Sequence, residues 1–177
     1  MHSTDVSIVI TNYNYGQYLP RCIRSCMSQR NIDQEIIVVD DCSDDETEFV
    51  IMPFLNHVTF IQNEENVGVA ESSNIGLRAS KSQFYDAFCV SCDYYMVDNH
   101  EQVIERKYAE KDNISCGIMY RRDLLLRLGG YNPKMRHREE EELRKRLDGF
   151  YNIHHLRIPF YRYRMHNNNK TKQPEYE

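Results

Sequence analysis

Hydrophobic positions along the chain switch between two periods. Val6-Ser7-Ile8-Val9-Ile10-Thr11 and Glu35-Ile36-Ile37-Val38-Val39 are short runs dominated by β-branched residues, the composition of strands buried on both faces of a parallel sheet. Between them Leu19, Cys22, Ile23, Cys26 and Met27 fall at i, i+3, i+4, i+7 and i+8, one apolar stripe on a helix. Pro20 suits the first turn, where N–H groups lack intrahelical partners. Strand, helix and strand at this spacing predict a right-handed βαβ unit. Asp44-Asp45-Glu46-Thr47 then opens a short helix with Val50, Ile51 and Phe54 inward, its acids complementing the helix dipole. Val58-Thr59-Phe60-Ile61 reads as a third strand and Asn63-Glu64-Glu65-Asn66-Val67-Gly68 as a turn. From Val69 to Ala79 a helix presents a small inner face, Val69, Ala70, Ser73 and Leu77, which predicts close approach to the sheet.

The second half continues the alternation. Ile114 to Tyr120 reads as a strand, and Arg122 to Leu128 as a helix stopped by Gly129-Gly130. Arg138 to Leu147 reads as a helix on which Glu140, Leu143 and Leu147 share one face. Glu139 flanks that face, Glu141 points away beside Lys145, and Glu142 lies on the far side. Tyr151 to Pro159 gives a last strand, where adjacent His154 and His155 point to opposite faces and cannot chelate one ion together. Tyr161-Arg162-Tyr163-Arg164-Met165-His166 alternates, putting Arg162, Arg164 and His166 on one face. From Lys170 the tail is polar.

Length and composition bound the class. At 177 residues, 41% hydrophobic and 28% charged, the chain is expected to be one domain with an ordinary core. No apolar run is long enough to cross a bilayer, and Met1 to Asp5 lacks the layout of a signal peptide, so a cytoplasmic location is expected. Cys22, Cys26, Cys42, Cys89, Cys92 and Cys116 read as reduced cysteines; Cys22 and Cys26 sit on the apolar stripe, and Cys89 and Cys92 have no second pair to complete a zinc site. The net charge of −5 is uneven: residues 1–100 carry 5 basic against 15 acidic side chains, and 101–177 carry 17 against 12. Acidic loops in one half and basic ones in the other suit a cleft for a metal ion and a polyphosphate. Overall acidity argues against nucleic acid as a partner.

Candidate chemistry begins where the second strand runs into Asp40-Asp41-Cys42-Ser43-Asp44-Asp45. Ligands of open α/β sheets bind at the carboxyl ends of strands; an acidic turn leading into a helix is the plainer alternative. Gly68 and Gly76 lack the layout of a dinucleotide fingerprint. Among the later glutamates, Glu140 is the one directed toward core or cleft. A carboxylate crowded by like charges there suits a general base, and a dipole-complementing helix start is the alternative.

Three ordered blocks carry a resemblance: Val6 to Asn14, Ile36 to Thr47, and Asn66-Val67-Gly68-Val69-Ala70 with Asn74-Ile75-Gly76-Leu77. With Gly129-Gly130-Tyr131, the acidic Glu139 to Leu143 and Tyr161 to Thr171 downstream, the chain resembles a family 2 glycosyltransferase over nearly its whole length. The resemblance implies an α/β GT-A fold: a Rossmann-like, mostly parallel sheet with helices on both faces and a smaller acceptor-side subregion. Residues 1–80 would be the nucleotide-binding half, 81–169 the acceptor and catalytic half, and 170–177 a flexible tail. It implies transfer of a sugar, with inversion, from a nucleotide-diphosphate sugar, most plausibly a UDP-sugar, to a saccharide or glycoconjugate acceptor. That places the chain in polysaccharide or glycoconjugate synthesis and leaves room for peripheral membrane association. Thr11, Tyr13, Asp40 and Asp41 would bind the nucleotide, with Asp40 accepting from the imide N–H of the base. Glu139-Glu140 matches the acidic motif supplying the catalytic base, and Arg164 with His166 would hold the diphosphate. Ser73 stands where the family usually carries Arg.

The match departs from the family at the strand ending in Asp-x-Asp, whose carboxylates hold a divalent Mg²⁺ or Mn²⁺. Either Ser91-Cys92-Asp93 is a degenerate form, leaving Asp93 as the metal carboxylate, or that strand is missing and Phe84 to Cys92 matches the next one. The second alignment is preferred, because Tyr94 to Arg106 looks like the family's following hairpin and begins at once. One carboxylate holds a hard cation weakly, so a nucleotide-sugar-binding domain with impaired catalysis is the alternative function.

Overall fold

The computed structural model describes residues 4–82, 89–112, 114, 116–148 and 150–166. They fall into two compact units, one built from residues 1–85 and 122–143, the other from 86–121 and 144–177. The division expected at residue 80 therefore differs from the one observed, since 122–143 packs with the first unit.

In the first unit β1 (Val6–Asn12), β2 (Gln34–Asp40) and β3 (Thr59–Gln62) form a parallel sheet in that order. Ile36, Ile37, Val38 and Val39 of β2 are all buried, each contributing roughly 1.5–3 kcal/mol of hydrophobic stabilisation as an upper estimate. Alternation divides them between two faces. Ile36 and Val38 join Leu19 and Ile23 of α1 (Leu19–Met27), Ile51 of α2 (Thr47–Ile51) and Phe54 in one cluster, with Ile10 packed against it. Val9 is paired with Ile37 and so shares the other face, where α3 (Val69–Ala79) lies against β1 and β2.

The close approach expected of α3 occurs at Gly76, where an added Cβ would collide with the Val9 side chain. Its buried residues are Ala70, Ser72, Asn74 and Gly76, so Ser73, expected on the inner face, is only half-buried. Likewise the stripe on α1 is narrower than its periodicity: Leu19 and Ile23 are buried, while Cys22 and Met27 are exposed. The same unit contains α4 (Arg122–Arg127) and the start of α5 (Glu139–Leu147). Gly129 (φ +83°) and Gly130 (φ +68°) close α4 in the left-handed region; their N–H groups donate to Leu126 and Leu125 carbonyls at 3.0 and 2.9 Å.

In the second unit β4 (Cys89–Val97) pairs antiparallel with β5 (Val103–Lys107) and β6 (Ile118–Tyr120), and parallel with β7 (Ile153–Arg164). The hairpin expected over Tyr94 to Arg106 is the β4–β5 pair. Expected strand residues Phe84 to Phe88, the downstream stretch Asn167 to Thr171 and the tail lie outside the described residues. His154 and His155 face opposite ways as alternation requires: His154 is exposed, and His155 places Nδ1 2.6 Å from the buried Ser91 Oγ. Among the described residues no helix is long and apolar enough to cross a membrane.

Candidate functional site

At the carboxyl ends of β1 and β2 the chain leaves the sheet through two loops that are laced together. Asn12, buried at the end of β1, donates from Nδ2 to Asp40 Oδ1 at 2.8 Å and to Thr47 Oγ1 at 2.9 Å. Asp40 also accepts from Ser43 Oγ at 2.5 Å and Ser43 N at 3.1 Å. Asn14 (φ +57°) donates its N–H to Ser43 Oγ at 2.9 Å and accepts the Asp44 N–H at 2.9 Å. Further along, Asp45 accepts from Gly16 N at 2.8 Å and from Thr47 Oγ1 at 2.5 Å. Burial pushes the Asp45 carboxyl up, but the hydrogen bonds from the Thr47 hydroxyl and from the Gly16 and Thr47 N–H groups outweigh it and leave its pKa below the ordinary value.

Asp41 works on the other side. It is 4% exposed and accepts from Asn63 Nδ2 at 2.9 Å, Val67 N at 2.9 Å and Gly68 N at 2.8 Å. It thereby fastens the loop that starts α3. Gly68 (φ +89°) carries the Arg136 guanidinium against it, so a Cβ there would collide with that side chain.

These contacts revise the role expected of the two aspartates. Asp40 is fully buried and its oxygens are taken by Asn12 and Ser43; it is not presented to accept an imide N–H from a base. Asp41 is similarly committed to backbone donors. Thr11, half-buried, and Tyr13, 40% exposed, are the expected nucleotide residues that the loops leave accessible.

Glu140 lies in the same unit as these loops and is 6% exposed, as its place on the helix face with Leu143 predicts; Glu139 beside it is half-buried. Tyr131 Oη lies 3.4 Å from Glu140 Oε2. The Tyr131 backbone is in turn held by Asn74 of α3. Asn74 and Tyr131 lie in stretches that carry the sequence resemblance, but no role was assigned to either. The available signal was a polar Asn inside a helix, where it is unfavourable unless its amide finds a specific partner.

The second unit does not present the phosphate and metal residues as expected. Arg162 and Arg164 do share a side of β7, but both reach Glu101: Arg162 at 3.2 Å and Arg164 in a closer pair. Arg164 also donates to the Asn99 carbonyl at 3.2 Å. Its guanidinium is thus not held open for a diphosphate. His166 is half-buried just beyond β7. Asp93, 3% exposed, accepts from Arg106 at 2.7 Å and from Ala109 N at 3.1 Å. The carboxylate expected to hold a metal is thus paired with a guanidinium in this structure. Among the described residues no group of three His, Cys, Asp or Glu side chains could hold a metal ion.

Comparison with known proteins agrees with the architecture. A family model described as glycosyl transferase family 2 matches residues 7–169. Chondroitin synthase of Escherichia coli is 30% identical over 142 residues, covering 76% of this chain and 20% of that protein. Among solved structures, S. aureus TarS 1-349 in complex with UDP-GlcNAc aligns at a TM-score of 0.73 with 17% identity, covering 96% of this chain and 61% of that one. The mannosyltransferase PcManGT of Pyrobaculum calidifontis, in complex with GDP-Man and Mn²⁺, aligns at 0.65 with 15% identity, covering 93% and 57%. At these identities the structural likeness is one of fold. The chain spans 33–40% of the length of the first curated relatives it matches.

Proposed function

Since the chain belongs to glycosyl transferase family 2, we propose that it transfers a sugar from a UDP-sugar to an acceptor hydroxyl with inversion, in polysaccharide or glycoconjugate synthesis. The observation that carries this reading is Glu140: a carboxylate 6% exposed, in the same unit as the loops that end β1 and β2. Glu140 takes the proton from the acceptor hydroxyl as its oxygen bonds to the anomeric carbon. The bond from that carbon to the diphosphate oxygen breaks in line, and UDP departs with the electron pair. Inversion follows from a single displacement. General-base assistance of this kind contributes about 10²–10⁴-fold. Tyr13 offers its exposed ring to the nucleobase and Thr11 its hydroxyl to the nucleoside, while Asp40 and Asp41 keep the loops around them in shape.

UDP release from UDP-GlcNAc, with water or an added saccharide as acceptor, tests the assignment. Glu140→Gln should lower turnover by about 10²–10⁴-fold and leave UDP affinity unchanged; undiminished turnover would refute the role of Glu140. A nucleotide-binding module without catalysis is the second reading, favoured by the commitment of Asp93 to Arg106. UDP binding that ignores Mn²⁺, with no turnover of any nucleotide sugar, would select it.

A further inference from the structure

We propose that Asn74 and Tyr131 are positioning residues that set the place of the Glu140 carboxylate relative to the nucleotide loops. The inference rests on the reading of Glu140 as the base. Asn74 is 5% exposed in the middle of α3. Its Oδ1 accepts the Tyr131 N–H at 2.8 Å, and its Nδ2 donates to the Tyr131 carbonyl at 2.8 Å. This two-point clip fixes both backbone groups of one residue, as a strand partner would. Nδ2 also reaches Glu71 Oε2 at 3.3 Å, and Glu71 is paired with Arg78 at 2.6 Å, so the amide cannot flip without losing its partners.

Approach this close excludes a side chain at residue 130. An added Cβ on Gly130 would collide with Asn74 Oδ1, and its φ of +68° already disfavours other residues. With its backbone clipped to α3, Tyr131 carries its hydroxyl to 3.4 Å from Glu140 Oε2. That contact is long for an O–H···O bond, and catalytic hydrogen bonds of unliganded proteins commonly tighten only when substrate is bound.

The other end of α3 is fixed independently. Gly68 donates its N–H to Asp41, so one helix is tied at its start to the nucleotide loop and at its middle to the residue touching Glu140. Asp41, Gly68, Asn74, Tyr131 and Glu140 thus form a rigid gauge between nucleotide and base. Displacing a reacting group by about 1 Å can cost 10²-fold in rate, which gives such a gauge catalytic consequence.

The test is a double-mutant cycle on UDP release from UDP-GlcNAc, with UDP binding and thermal stability measured for every variant. Tyr131→Phe should lower kcat about tenfold with KM for UDP-GlcNAc and UDP affinity unchanged. In a Glu140→Gln background the same change should have no further effect on kcat, because the group being positioned is gone. Asn74→Ala should lower kcat at least as much as Tyr131→Phe, again without raising KM. If Glu140→Gln is inactive but Tyr131→Phe keeps wild-type kcat, the inference is overturned while the base assignment stands. If Tyr131→Phe instead raises KM, or remains additive with Glu140→Gln, Tyr131 acts through substrate or fold and the inference is likewise overturned. Undiminished turnover in Glu140→Gln would remove the base reading itself.

Discussion

Replacing Asp41 by Ala should loosen the loop from Asn63 to Gly68 and destabilise the first unit before it affects any ligand. The carboxylate accepts three hydrogen bonds at 2.8–2.9 Å. Hydrogen bonds to a charged group contribute about 1.5–3 kcal/mol each, so a naive sum is about 4.5–9 kcal/mol. Two effects reduce it. Asn63, Val67 and Gly68 are only half-buried, so water can satisfy part of what they lose, and removing a carboxylate that is 4% exposed relieves its own desolvation. A net loss of about 3 kcal/mol is the expected result, roughly 1 kcal/mol per donor.

For a chain of this size about 1 kcal/mol shifts the melting midpoint by about 2–4 °C, so Asp41→Ala should melt about 6–12 °C below wild type. In urea the midpoint should fall with the slope unchanged, which marks a change in stability rather than in the unfolded state. Asp41→Asn keeps one acceptor oxygen and should fall between. UDP affinity should drop only as far as the loop is unfolded or displaced. If Asp41→Ala melts with wild type and loses only UDP binding, Asp41 is a ligand contact and the account of it as a fastener is wrong.

Two further outcomes follow from the other committed carboxylates. Arg106→Ala removes the guanidinium paired with the buried Asp93 at 2.7 Å and should destabilise the second unit, by less than the loss of a fully buried pair because Arg106 is itself about a third exposed (35%). Urea denaturation would measure it, and an unchanged midpoint would contradict the ion pair. Asp45 has a folded pKa below its ordinary 3.8, so its contribution to stability is complete above that value and is lost as pH falls through the folded pKa. Asp45→Asn should therefore be less stable than wild type at neutral pH, with the gap closing on acidification; a gap that widens in acid would reverse the sign and sink the argument.

What was legible in the sequence follows the strength of the local signal. β2 was readable because four consecutive β-branched residues admit little else; the bounds of α3 were readable from Gly68 before it, but its buried face, with Ser72 and Asn74 rather than Ser73, was not. Glu140 was legible through the helix face it shares with Leu143. Boundaries of the last strand were not: the strand expected to span Tyr151 to Pro159 begins at Ile153 and continues unbroken to Arg164, its pairing with β4 accommodating Pro159 by a register shift. Partner choice was also illegible. Nothing in the alternation of Tyr161 to His166 says that Glu101, outside that segment by many residues, will take both arginines. Nor does Asp93 announce Arg106, since charge pairing across a sheet depends on register that the sequence states only indirectly.

The two adjacent aspartates show how neighbouring residues of one acidic run take separate structural tasks. Successive residues of a strand point to opposite faces. Val38 shares its face with the α1 and α2 cluster, so Asp40, two residues on, turns to that side and finds Asn12, Ser43 and nearby Thr47. Asp41 turns to the side of α3 and finds Asn63, Val67 and Gly68. One carboxylate therefore fixes the loop before the first helix and the other fixes the loop before the third. Adjacent charges would repel if they faced a common ligand; facing apart, each is hydrogen-bonded by its own set of donors. The acidic run after β2 is a joint that fixes the loops at the ends of β1 and β2, and under the proposed function recognition of the nucleotide falls to Thr11 and Tyr13. Substituting Asp40 by Asn should then preserve nucleotide binding more fully than substituting Tyr13 by Ala, an ordering that direct base recognition by Asp40 would invert.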